Sequence, residues 1–261
     1  MRAVIVECPG DRSALRVVEV PAPSPGPGEL RVRVAWAAVN WSDVQKRQGI
    51  YPDPQAYPLP LGAEVSGFVD AVGSGVSSRW LGRAVSALCG PMLRGGQAEW
   101  TTVPLEFAIP VPGSIALDVA AAFPLAMLTA YHLLHSAYQL RPGETVLVHA
   151  ASGSVGLAVI QLARLAGATV IGTVGTAAKV DTAYKHGAAL VVDRSSQDFV
   201  DQALRFTAGR GVDLVIDSLG ADVLPRSFDA LRVYAAPRSE GRALPFAGGE
   251  VVCEVLRNGC F

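Results

Sequence analysis

Residues 145–156 read TVLVHAASGSVG, and this stretch decides the fold. Thr145 to His149 form a continuous run of the kind a parallel strand buried on both faces requires. Small residues follow at Ala150, Ala151, Ser152, Gly153, Ser154 and Gly156, and an amphipathic run starts at Val155. Small side chains let the backbone approach a pyrophosphate closely. The following helix aims its free N–H groups and positive dipole end at that group. Gly156 lets the helix pack tightly on the strand. A glycine pattern alone is weak evidence, but here a strand precedes it, a helix follows, and a second strand comes about 20 residues later. Ala150, Ser152, Gly153, Ser154, Val155 and Gly156 are therefore the predicted binding turn for a dinucleotide.

Working outward, strands and helices alternate downstream. Strand TVIGTV, helix AKVDTAYKHGA, strand LVV, helix QDFVDQALRFTAG and strand DLVID follow in order. That alternation predicts a parallel, doubly wound sheet. Immediately upstream, LDVAAAFPLAMLTAYHLLHSAY is rich in Ala and Leu and reads as helix, with Pro124 and Thr129 marking a break or restart. The first third differs. AVIV, LRVVEV, LRVRVAWAAV, GFVDAVG, AVSAL and AEWTTVP are short, valine-rich strands separated by turn clusters such as PAPSPGPGE. They predict a partly closed all-β unit. The expected division is a β domain over 1–117 and an α/β domain over 118–261. Within the latter, 232–261 carries only weak strand patterning, in GRALPFAG and EVVCEVL, and reads as divergent or truncated.

The 261 residues are half hydrophobic and 17% charged, which suits a packed core rather than a disordered chain. A net charge of −1 gives no general affinity for nucleic acid or anionic membrane. Charge interrupts the N-terminus too early for a secretory signal, and no apolar run reaches the length of a membrane span. The four cysteines form no CxxC pair. This predicts a cytoplasmic protein without a disulfide framework, and Cys89 reads as a buried, inert thiol.

The cofactor preference follows from charge. An NAD site usually carries an acid at the end of the second strand, bonded to the ribose 2′-hydroxyl. No acid occurs from Gly153 to Val180. Thr176 supplies a hydrogen bond there, while Lys179 and Arg194 supply positive charge for a 2′-phosphate. This favours NADPH over NADH.

Several stretches in order resemble one family. PGPGELRVRVAWAAVNWSDVQKRQGIYP (26–52), PLGAEVSGFVDAVGSGV (60–76), GGQAEWTTVP (95–104), AAFPLAMLTAYHLL (121–134), the dinucleotide segment (145–179) and VDLVIDSLG (212–220) are similar to zinc-independent medium-chain dehydrogenase/reductases of the quinone oxidoreductase, or zeta-crystallin-like, type. The resemblance implies a GroES-like N-terminal domain and a Rossmann domain with the active site in the cleft between them. It implies NADPH-dependent reduction of quinones or other α,β-unsaturated carbonyls by hydride transfer. Asn40, Tyr51 and Thr129 are the implied catalytic residues, and Ser218 joins the implied cofactor contacts. The family also implies a homodimer, which the short tail argues against. Met127 stands where relatives usually have Gly, and Arg194 where they often have Tyr.

Zinc-dependent relatives place a Cys near Asn40 and a His in a Gly-His-Glu segment. Here the latter reads Gly62-Ala63-Glu64, and neither Asn40 nor Ala63 ligates zinc, so no metal is expected. His132, His135, His149 and His186 read as core or surface residues, and no Ser-His-Asp arrangement is evident. Two other readings stand beside the reductase: a catalytically weak NADPH-binding protein, crystallin-like or truncated, and a polyketide-type enoyl reductase.

Overall fold

The computed structural model describes residues 1–90, 92–220 and 223–232, and the backbone of 250–253. The expectations for a divergent tail concern residues 232–261, which lie almost wholly outside the described residues. Two compact units divide between Leu125 and Ala126.

The first unit is built on strands β1 (Arg2–Val6), β2 (Leu15–Glu19) and β3 (Glu29–Ala37), helix α1 (Trp41–Gln48), and strands β4 (Leu59–Pro60), β5 (Glu64–Val72), β6 (Ala84–Leu88), β7 (Trp100–Pro104) and β8 (Ala108–Pro110). They form an antiparallel sheet ordered β2-β1-β4 and a larger one ordered β7-β3-β5-β6-β8. Leu30, Val32, Val65, Val69, Val85 and Val103 fill the core of the larger sheet. Each such side chain contributes roughly 1.5–3 kcal/mol on burial. The pairing of β3 with β5 slips register twice. At one slip Gly67 sits so close that a Cβ would lie 2.1 Å from the Arg33 carbonyl oxygen, so only glycine fits. Helix α2 (Leu117–Ala121) packs on this unit: Ser66 and Ser86 donate to the carbonyls of Leu117 and Ala120.

Helix α3 (Pro124–Tyr131) starts at a proline suited to a first turn and passes through Thr129 without a break. The expected restart at Thr129 is not observed; one weak helix former does not outweigh an Ala- and Leu-rich context. A π-helical turn, His132–Ala137, follows. The second unit continues with β9 (Thr145–Val148), α4 (Ser154–Leu165), β10 (Thr169–Val174), α5 (Val180–His186), β11 (Leu190–Asp193), α6 (Phe199–Phe206), β12 (Leu214–Asp217), α7 (Leu224–Asp229) and β13 (Glu250–Cys253). The strands are all parallel, in the order β11-β10-β9-β12-β13.

All of β9 is buried, as its apolar run predicts. Its residues alternate between two cores. Val146 and Val148 pack with Val159, Ile160 and Ala163 of α4, while Leu147 packs with Phe199, Val200 and Ala203 of α6. Helices thus cover both faces, which is the condition for a parallel sheet. The strand order reverses between β9 and β12, and in such sheets ligands bind outside the carboxyl ends at that point.

Candidate functional site

The turn after β9 is shaped for close approach. Ala150 takes a left-handed conformation with φ +50°, and the N–H of Gly153 donates to its carbonyl at 2.8 Å. Gly153 caps α4 without any side-chain hydrogen bond. The N–H groups of the first helical turn, Ser154 to Gly156, have no partner four residues back. A Cβ on Gly156 would lie 2.5 Å from the Ala150 carbonyl oxygen and 2.8 Å from the Ala151 Cα. On β10, a Cβ at Gly172 would meet the Ala151 side chain at 2.7 Å. The absence of side-chain bulk on both sides lets the turn lie flat on the sheet end.

At the end of β10, Arg194 is anchored through its backbone N–H to the Val174 carbonyl at 2.9 Å. One guanidinium nitrogen lies 3.8 Å from where a Gly175 Cβ would stand, beside Thr176. Among the described residues, Arg194 Nε is buried without a hydrogen-bond partner. Thr176 precedes a 3-10 turn, Ala177–Lys179, and makes no capping bond with its side chain. Lys179 is exposed at the start of α5. A buried donor lacking an acceptor, an unused hydroxyl and an exposed ammonium fit the phosphate of an NADP-type ribose. Ser218 is exposed after β12, in a turn held by Asp217, whose Oδ1 accepts from the N–H groups of Leu219 and Gly220. Thr129 is buried on α3.

In the first unit, Asn40 caps α1 and donates from Nδ2 to Glu64 Oε1 at 3.0 Å. Glu64 also accepts from the Leu125 N–H at 2.7 Å. Asp43 stabilises the helix start, accepting from the Asn40 N–H at 2.9 Å and from the Gly62 N–H at 3.1 Å. Burial pushes both carboxyl groups above their usual range despite these donors. Ala63 is fully buried beside them. Among the described residues, no group of three or more His, Cys, Asp or Glu could hold a metal.

Lys46 was not legible as a site residue, because lysine on a polar helix ordinarily faces water. It is 1% exposed here. Its Nζ donates to the carbonyls of Met92 (3.2 Å) and Leu93 (2.8 Å) and lies 4.9 Å from the Tyr51 ring centre. Burial pushes its ammonium pKa down, opposed by Asp43. Tyr51 is half-buried, and burial, with Asp53 and Asp43 nearby, raises its phenol pKa. It therefore remains protonated at neutral pH. Cys89 is buried, with its thiol pushed up to about 12, which makes it unreactive.

Lys46→Ala is expected to cost about 2–4 kcal/mol through a cavity and two orphaned carbonyls. Lys46→Met, which refills the volume, should recover more than half of that. Urea denaturation of the two variants checks this; equal losses would show that volume is not what Lys46 supplies.

Comparison with known proteins accords with this geometry. An alcohol dehydrogenase GroES-like domain model matches residues 26–113, and a zinc-binding dehydrogenase model matches 154–236. A phenolphthiocerol/phthiocerol polyketide synthase component of Mycobacterium tuberculosis is 37% identical over 226 residues, 87% of this chain but 10% of that protein. The 2-haloacrylate reductase of a Burkholderia species is 39% identical over 230 residues, 86% of this chain and 68% of the relative. The solved structure of Escherichia coli quinone oxidoreductase complexed with NADPH superposes with a TM-score of 0.82 at 35% identity, covering 89% of this chain and 71% of that one. The chain belongs to the medium-chain dehydrogenase/reductase family, quinone oxidoreductase type, with a GroES-like unit followed by a Rossmann unit. Among the described residues, no helix is long and apolar enough to cross a membrane.

Proposed function

We propose that this chain binds NADPH and reduces quinones or related α,β-unsaturated carbonyls without a metal. The observation that carries this is the pairing of the Gly153–Gly156 turn with Arg194, whose buried Nε lacks a partner among the described residues, beside the acid-free end of β10. Family membership and the NADPH complex of the E. coli relative support it.

When bound, NADPH supplies the hydride from its nicotinamide ring. The chain's own groups bind and orient. The backbone N–H groups of Ser154, Val155 and Gly156 receive the pyrophosphate, with Ala150 and Ser152 shaping the turn. Thr176, Lys179 and Arg194 receive the 2′-phosphate, Ser218 lines the cofactor, and Thr129 contacts its nicotinamide side. Asn40 hydrogen-bonds the substrate oxygen from the helix cap that Glu64 holds. Tyr51, a phenol protonated at neutral pH, supplies a proton to the reduced product. Functionally, the first unit, up to Leu125, supplies the catalytic groups, and the second, from Ala126, supplies the cofactor groups. Asn40 and Ala63 stand where zinc-dependent relatives have ligands, so polarisation falls to these hydrogen bonds.

The expected result with a simple benzoquinone is NADPH oxidation at steady state, with NADH a much poorer donor. Cofactor binding without turnover would instead make the chain a weak NADPH-binding protein. The likeness to a polyketide synthase favours a second reading, reduction of an enoyl thioester. Turnover of an enoyl thioester with no turnover of benzoquinone would establish it over the first.

A further inference from the structure

His149 directly follows β9 and precedes the dinucleotide turn, and it is 2% exposed. Its Nδ1 lies 2.8 Å from Thr173 Oγ1 on β10, and its Nε2 lies 3.0 Å from Ser227 Oγ on α7. The Ser227 hydroxyl lies 3.3 Å from Asp217 Oδ2 at the end of β12 and 3.1 Å from the Val223 carbonyl. The ring meets Phe199 edge-on at 4.8 Å. Serine, histidine and aspartate therefore meet in space. The connectivity is nevertheless wrong for a nucleophile. The carboxylate touches the serine rather than the imidazole, and all three side chains are buried.

Counting protons fixes the tautomer. Asp217 Oδ2 is an acceptor for the Ser227 hydroxyl. Ser227 has one proton, and Asp217 and Val223 both offer acceptors for it. Its oxygen is left to accept from the His149 Nε2–H. Nδ1 is then bare and accepts from the Thr173 hydroxyl. Burial pushes the imidazole down to about 4, against the upward pull of Asp217 and with a small push from Arg194. The ring accordingly carries a single proton at neutral pH.

We propose that His149 is a positioning residue for the cofactor: as the neutral Nε2–H tautomer it ties the carboxyl ends of β9, β10 and β12 together and so fixes the turns at 150–153 and 218–220. The backbone agrees with this role. The His149 N–H donates to the Ile216 carbonyl at 3.0 Å, and the Ala151 N–H donates to the Thr173 carbonyl at 3.0 Å. Thr173 thus holds the imidazole with its side chain and the turn with its backbone. Asp217, the far end of the network, closes the second turn by accepting from Leu219 at 2.7 Å and Gly220 at 2.9 Å. The strained φ of Ala150 directly follows the clamped residue.

The cofactor half of this inference rests on the NADPH reading above, and the test separates the two. Amide hydrogen exchange and NADPH dissociation constants are measured on the full chain, its His149→Phe and His149→Gln variants, and Thr173→Val. In folded His149→Phe, exchange at Ala151, Leu219 and Gly220 should accelerate about tenfold or more. NADPH affinity should fall about tenfold while kcat at saturating NADPH stays within about twofold. His149→Gln, which keeps one donor and one acceptor, should recover most of both effects. If His149→Phe does not fold, Thr173→Val carries the test with smaller changes in the same direction. Unchanged exchange at those amides in a folded variant overturns the inference. A wild-type chain that fails to bind NADPH overturns the cofactor reading, and the exchange result still decides whether His149 fixes the turns.

Discussion

Gly156→Val is expected to abolish measurable NADPH binding, raising the dissociation constant at least about 100-fold, on the order of 2.7 kcal/mol. The cause is contact with backbone, which cannot swing aside. A Cβ would stand 2.5 Å from the Ala150 carbonyl oxygen and 2.8 Å from the Ala151 Cα. Relief requires α4 to move off β9 or the turn to rise from the sheet end, and either change displaces the N–H groups aimed at the pyrophosphate. Overpacking also costs stability, about 1–3 kcal/mol. Gly153→Ala serves as the graded control. Its Cβ would lie 3.2 Å from the same oxygen, so a shift of a few tenths of an ångström accommodates it. Its affinity should fall less than about tenfold. Calorimetric titration of both variants, with circular dichroism to confirm folding, provides the comparison. A folded Gly156→Val that binds NADPH like the wild type would remove the turn from the cofactor site.

The turn was readable because its requirements are local. A buried parallel strand must be apolar on both faces, and Val146, Leu147 and Val148 satisfy both cores at once. A close helix crossing needs glycine at one position, and Gly156 holds it. The polar parts of the site were less readable because burial is not a local property. Trp41–Gln48 carries Asp43, Lys46 and Arg47, which suggests a solvated segment, yet Asp43 and Lys46 are among the most buried residues. What buries them, the backbone at Gly62 and at Met92 and Leu93, lies between 19 and 47 residues away. The same holds for His149, whose Ser227 partner is 78 residues downstream. The cap role of Asp43, by contrast, is local, since an acid three residues after Asn40 reaches the cap N–H through the geometry of one turn. Lys46 answers to tertiary packing instead.

The second large effect is expected at Arg194. Arg194→Met should weaken NADPH binding about 30- to 100-fold, the loss of one or two charge-assisted hydrogen bonds, and leave NADH binding within about threefold. It should cost little or no stability. Among the described residues its Nε is buried without a partner, so the folded chain gains no hydrogen bond from that atom. A donor left unsatisfied in the unliganded fold is a net cost, and methionine of similar length removes it. The guanidinium instead lies beside the Gly175 turn, where the acid that would read a 2′-hydroxyl is missing and Thr176 and Lys179 follow. Salt provides an independent readout. The wild-type preference for NADPH should shrink as ionic strength rises, because Lys179 is exposed and its attraction is screened. In Arg194→Met a weaker salt dependence should remain, to which the exposed Lys179 contributes. Dissociation constants for both cofactors, at low and high salt, separate a lost phosphate contact from a distorted site. If NADPH and NADH weaken equally, Arg194 shapes the sheet end rather than reading the phosphate, and the NADPH preference must then come from Thr176 and Lys179.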